Sequence, residues 1–153
     1  MRYYIYDSNL DKQFKSAVRQ ILDENTVWRG LVPSTRRSNA DFTIRLVPRS
    51  FLDRYHCERP EYYPSGKQIR FSFTINRHRI YIDAENWLHG VPESRLSLTE
   101  YQKYVILHEV GHALGYTHEE CSVYALNCPV MYQMTRGPPL SHQRVHYPLS
   151  IIK

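Results

Sequence analysis

One stretch of eleven residues carries the chemistry of this chain: His108-Glu109-Val110-Gly111-His112-Ala113-Leu114-Gly115-Tyr116-Thr117-His118. On a helix, His108 and His112 stand four apart and so one above the other on the same face. Two imidazole nitrogens can then reach one metal ion, each at about 2.0–2.1 Å. Glu109 lies one residue round from His108, where its carboxylate reaches a water on the metal without being a ligand. Gly115 has no Cβ and can take the left-handed conformation that turns the chain, so that His118 swings back as the third nitrogen. Three neutral imidazoles suit Zn²⁺ and leave a fourth position open, which marks a catalytic rather than a structural site. The pair of histidines with its glutamate is a common pattern. The added Gly115 and His118 at fixed offsets make it specific.

Such a site needs a helix with a defined start and end. Ser97-Leu98-Thr99-Glu100 is a capping box, in which the serine hydroxyl accepts from an early helix N–H while the glutamate reaches back. It predicts a helix from Leu98 to about Leu114. Upstream, Arg2–Tyr6 reads as a first strand. Leu10–Leu22 places Leu10, Phe14, Ala17, Val18, Ile21 and Leu22 at helical spacing, with Ser8 or Asn9 as the cap. Asn25 and Gly30 bracket a short strand or turn around Val27-Trp28. Asp41–Val47 alternates as a half-buried strand that ends at Pro48. Arg49–Lys67 reads as irregular. Gln68–Ile75 and His78–Asp83, joined by a turn at Asn76-Arg77, read as an antiparallel hairpin. In the first of these strands Ile69, Phe71, Phe73 and Ile75 are expected to point inward, and Arg70, Ser72 and Thr74 outward. His89–Arg95 is a loop. The remainder is turn-rich, with a short helix expected near Ser141–His146. This order gives an α+β layout, one sheet backed by helices. A single domain over 1–153 is expected, with an upper subdomain of residues 1–115 ending in the active-site helix and a small lower subdomain of residues 116–153.

Composition sets outer bounds. The chain has 153 residues, 42% hydrophobic and 23% charged, which suits one soluble globular unit. The net charge of +5 admits an acidic partner, but the basic residues are scattered with no long run, which reads as solvated surface and weighs against nucleic acid. No apolar run reaches the length of a membrane span. The first residues lack the pattern of a signal peptide, so the expectation is an intracellular protein or a secreted one trimmed of its leader. Cys57, Cys121 and Cys128 are an odd set. Either Cys121 and Cys128 bridge in an oxidising compartment, or all three are thiols. His56, His78 and His89 read as surface or hydrogen-bonding residues. His142 and His146 are four apart but have no third ligand nearby.

The run from His108 to His118 resembles the long zinc signature of the metzincin peptidases. That clan also carries a methionine turn beneath its metal, and Cys128-Pro129-Val130-Met131-Tyr132 is similar to it, with Met131 in the methionine place. Ile69–Thr74 followed by Ile80–Trp87 is similar to the last two strands of matrix-type metzincins, whose edge strand pairs with extended substrate. The segment from Cys57 to Pro139 also resembles uncharacterised bacterial, mostly exported domains of minimal metzincin-like form. Gln133 stands where astacins have a tyrosine. The resemblance implies a twisted mixed sheet, an N-terminal backing helix, an active-site helix and a very small C-terminal subdomain.

The function expected is zinc-dependent endopeptidase action on peptide or protein substrates, with Glu109 as general base and the protein a monomer. Arg70, Ser72 and Thr74 are expected to face the substrate strand. Tyr132, Gln133 and Met134 are expected to wall the pocket for the residue after the cut. Two rivals stand beside this reading: an inactive zinc-containing protein-binding module of the same fold, and a basic DNA- or RNA-binding protein with a structural zinc.

Overall fold

The computed structural model describes residues 1–148. The last five positions of the expected lower subdomain lie outside them. The described chain runs β1 (Arg2–Ile5), α1 (Phe14–Glu24), β2 (Val32–Pro33), β3 (Phe42–Val47), α2 (Arg49–Glu58), β4 (Glu61–Tyr62), β5 (Gln68–Ile69), β6 (Phe73–Ile75), β7 (Arg79–Asp83), α3 (Ala84–His89), α4 (Leu98–Ala113), β8 (Cys128–Pro129) and β9 (Val145–His146). It is an α+β fold. The main sheet is mixed, in the order β2-β1-β3-β7-β6. β1, β2, β3 and β7 run parallel, and β6 closes one edge antiparallel to β7.

Strand alternation decides which face is covered. Tyr3, Ile5, Phe42, Ile44, Leu46, Ile80 and Ile82 are buried in one core cluster with Phe14, Val18 and Leu22 of α1 and most of α4. Each such side chain taken from water contributes about 1.5–3 kcal/mol. α4 is buried nearly all round, from Tyr101 to Ala113, as expected of a helix lying inside a structure rather than on it. Trp87 of α3 is fully buried. Its ring meets Phe14 edge-on at 5.0 Å, and its indole N–H donates to Asp11 at 2.8 Å. No helix of the described residues is long and apolar enough to cross a membrane.

Several expectations need correction. α1 starts at Phe14, not Leu10, because Ser8 accepts from the Leu10 N–H and Asp11 from the Gln13 N–H. These local bonds hold the preceding residues in turns, and Leu10 is left exposed. Of the short strand or turn expected around Val27-Trp28 the chain forms the turn, with both N–H groups donating to the Asn25 side chain. Part of the stretch read as irregular is helix α2, begun by Pro48 at the cap position. The expected strand Gln68–Ile75 is two strands. Gln68–Ile69 pairs with β4 in a separate hairpin, and Ile69 and Phe71 build a second small core with Tyr63. No helix forms at Ser141–His146. Gln143 there is buried and donates to the carbonyls of Ser122 and Ala125, and Val145–His146 instead pairs with β8. Cys121 and Cys128 form a disulfide, while Cys57 is a free, exposed thiol.

Candidate metal centre

α4 opens with the capping box in full. The Glu100 N–H donates to the Ser97 hydroxyl at 3.2 Å, and the Ser97 N–H donates to the Glu100 carboxylate at 2.8 Å. It closes at Gly115, which has φ of +100°. The Tyr116 N–H donates to the Gly111 carbonyl and the Gly115 N–H to the His112 carbonyl, both at 2.9 Å. That pair of bonds is a Schellman motif. Arg77 lies across this end, its Nε donating to the Ala113 carbonyl at 3.3 Å, where a cation complements the helix dipole. The turn brings His118 back to the helix.

His108, His112 and His118 converge, each offering a nitrogen within 4.8 Å of the others, and could hold a metal ion. The orientation of two rings is set by backbone carbonyls. His108 Nδ1 donates to the Val130 carbonyl at 2.8 Å, and His112 Nδ1 donates to the Tyr116 carbonyl at 2.9 Å. A neutral imidazole that donates through Nδ1 leaves Nε2 as a bare acceptor. His108 Nε2 is buried and has no hydrogen-bond partner, an atom that needs an occupant. His112 Nε2 and His118 Nε2 lie 3.1 Å apart, close to the roughly 3.3 Å that two nitrogens keep on one tetrahedral zinc. Burial holds all three rings below the ordinary histidine range, His108 down to about 3. They are therefore neutral at pH 7, the state a metal requires of its ligands. The donor set fits a metal on these grounds. His108 is buried while His118 is exposed, so the cluster opens to solvent on one side.

Glu109 is 4% exposed. Burial pushes its carboxyl up to about 8, and the hydrogen bond from Thr74 acts in the opposite sense. The Thr74 hydroxyl lies 2.7 Å from Glu109 Oε1 and 3.0 Å from the Glu109 carbonyl oxygen. A cleft of about 640 Å³ opens over Thr74, Glu109, His112 and His118, with Gln133 and Arg136 on its rim.

Met131 sits in a turn, where the Tyr132 N–H donates to the Pro129 carbonyl. It is 2% exposed and packs directly against Gly111. A Cβ at Gly111 would lie 2.4 Å from Met131 Sδ and 2.9 Å from a Trp28 ring carbon. The Met131 carbonyl accepts from the Glu119 N–H at 3.0 Å, which ties the residue after His118 to the same turn.

The other expected site residues divide. Thr74 and Gln133 line the cleft, as does Ser72, but the Ser72 hydroxyl is turned inward and accepts from the Asp83 N–H. Thr74 likewise faces α4, so two of the three residues expected to point outward turn inward, while Ile69 and Phe71 are buried as expected. Arg70 pairs with Asp53 and lines a different cavity. Tyr132 is spent on internal bonds, its hydroxyl donating to the Gly137 carbonyl at 2.6 Å. Met134 is fully buried in the core. The sequence reading missed the far wall of the cleft, where Tyr55, His56 and Arg59 of α2 and its C-terminal end stand. It also missed the Arg136–Glu61 ion pair of 2.7 Å. The unread helix α2 is the reason for the first omission, since a wall cannot be assigned to an element not recognised.

Fold and site together define an α+β protein whose three converging histidines could hold one metal ion. The chain belongs to the family described as "Protein of unknown function (DUF3152)", whose model matches residues 8–146 and so takes in the whole cluster. No curated protein matches it.

Proposed function

We propose that this chain is a zinc-dependent endopeptidase of metzincin type, with His108, His112 and His118 as ligands and Glu109 as general base. The observation that carries the reading is the convergence of three neutral imidazoles beside a buried, intact glutamate at the floor of an open cleft. Three nitrogen donors with an open fourth position suit zinc. When bound, zinc would polarise the scissile carbonyl and acidify a water molecule. A bound cation would favour the ionised Glu109 carboxylate over the burial that raises it, and in that form Glu109 accepts the proton of that water and returns one to the leaving amine. Thr74 holds the Glu109 carboxylate in place from the edge strand. A module that only bound a partner would have no use for this base.

β6 lies at the end of the sheet order, so an extended peptide can add to its free side as a further strand. Met131, packed beneath Gly111 between two ligands, takes the role of the clan's methionine turn. Gln133 and Arg136 border the pocket for the residue after the cut.

Casein cleavage by protein purified without added metal is the direct test. One zinc per chain by elemental analysis, activity lost to a chelator and restored by zinc, and a 10²–10⁴-fold loss in Glu109→Gln are the expected results. A folded, zinc-loaded protein that leaves casein, gelatin and unfolded peptides intact would leave the binding-module reading in its place.

A further inference from the structure

The face of the main sheet turned away from the core carries an alternating series of arginines and aromatic rings. Residues between the buried positions point there: Tyr4 and Tyr6 of β1 and the residue after it, Arg45 of β3, Arg79 and Tyr81 of β7. Arg37 and Arg45 both lie over the Tyr6 ring, at 5.7 and 5.6 Å. Arg45 also lies over Phe51 of α2 at 5.8 Å. Arg54 lies over Phe51 at 5.7 Å and over Tyr55 at 4.8 Å. Phe51 in turn packs on Tyr81 at 5.0 Å. Arg37, Arg45, Arg54 and Arg79 are all exposed. Among the described residues none of the four forms an ion pair, whereas Arg19, Arg49, Arg70 and Arg136 do. A shallow cavity of about 390 Å³ on this face holds Arg37, Arg45, His78 and Arg79 but one carboxylate, Asp41. That carboxylate already accepts from the Arg2 N–H at 2.7 Å.

We infer that this face docks on an anionic phospholipid bilayer. Arg37 and Arg54 each give one N–H to a tyrosine hydroxyl, to Tyr6 at 3.3 Å and to Tyr55 at 2.7 Å, and the remaining donors of each five-donor guanidinium match phosphate oxygens. The four cations therefore form a surface complementary in charge to a layer of phosphate headgroups, with tyrosines at the level where amphipathic rings settle in a membrane interface. A single-stranded nucleic acid is disfavoured because its bases need open ring faces, and Tyr6 and Phe51 each already carry two guanidiniums. The Cys121–Cys128 disulfide also fits an oxidising compartment, where lipid surfaces are a more abundant polyanion than nucleic acid. The inference does not depend on peptidase activity.

Sedimentation of the whole protein with vesicles in 0.15 M salt tests it. Vesicles containing phosphatidylglycerol should retain the protein about 600-fold better than pure phosphatidylcholine, given about fivefold for each of four arginines near the surface. Arg45→Gln/Arg79→Gln should lower that retention by about 25-fold, and Lys12→Gln/Arg19→Gln, which removes equal charge from α1 and the turn before it, should change it little. Circular dichroism confirms folding, with Arg37→Gln/Arg79→Gln as the substitute pair if the first unfolds. Equal retention by both vesicle types, equal loss in both double variants, or tighter binding of an oligo-dT strand than of the anionic vesicles would each overturn the inference.

Discussion

The Thr74 hydroxyl sits 2.7 Å from the Glu109 carboxylate and 3.0 Å from the carbonyl of the same residue. Edge strand β6 and helix α4 are thus joined at the proposed base itself. Thr74→Val keeps the shape and removes the hydroxyl. It should lower kcat on a peptide substrate by about tenfold, a fraction of the 10²–10⁴ supplied by general base catalysis, with KM and zinc content unchanged. Thr74→Ser should restore most of the loss. Equal kcat in the parent and the valine variant would show that Thr74 does not position the base.

Gly111 faces Met131 and Trp28 with no room for another atom. Gly111→Ala would gain helix propensity, but both crowding groups are buried, so the overpacking cost of about 1–3 kcal/mol wins over the roughly 1 kcal/mol of propensity. Urea unfolding should show a net destabilisation. Because His108 and His112 flank this position, zinc affinity should fall as well. A variant as stable as the parent would mean that Met131 moves aside freely.

His56 makes stability depend on pH. It is 3% exposed, its Nδ1 donates to the Leu52 carbonyl at 3.0 Å, and its Nε2 accepts from the Phe71 N–H at 2.7 Å. Burial lowers its pKa below the ordinary 6.5, with Arg70 acting the same way and Asp83 and Asp53 against it. The unfolded chain therefore binds the proton first. The contribution is complete above about pH 6.5 and is lost as pH falls through the folded-state value. His108, His112 and His118 respond in the same direction, so the measurement is a comparison. The drop in unfolding free energy from pH 7.5 to 5 should be smaller in His56→Gln than in the parent. An identical drop would assign the whole effect to other groups.

How far the sequence was legible depended on how local each signal was. The capping box and the Gly115 turn bound α4 through neighbours three to five residues away, so the helix and the convergence of His108, His112 and His118 could be read directly. α2 was hidden because it buries only Leu52 and His56 among ten residues, too few for a visible apolar stripe. The period-two run from Ile69 to Ile75 was real but is split between two sheets, Gln68–Ile69 pairing with β4 and Phe73–Ile75 with β7. Ile69 and Phe71 pack with Tyr63, while Ser72 turns toward Asp83. The Thr74–Glu109 bond spans 35 positions, and no spacing rule reaches that far. The arginines looked scattered because tertiary structure, not sequence, gathers them: β3 pairing with β7 brings in Arg45 and Arg79, the turn before β3 adds Arg37 and α2 adds Arg54.

The contact between His108 Nδ1 and the Val130 carbonyl spans 22 positions. The helix that carries His108 and His112 is therefore made before the group that aims one of them. As the chain leaves the ribosome, His108 has no fixed tautomer until the turn around Met131 has folded against Gly111. On the function proposed above, metal loading is then a late event in the life of the polypeptide. A nascent chain that has completed α4 alone should ignore zinc at concentrations the finished protein captures.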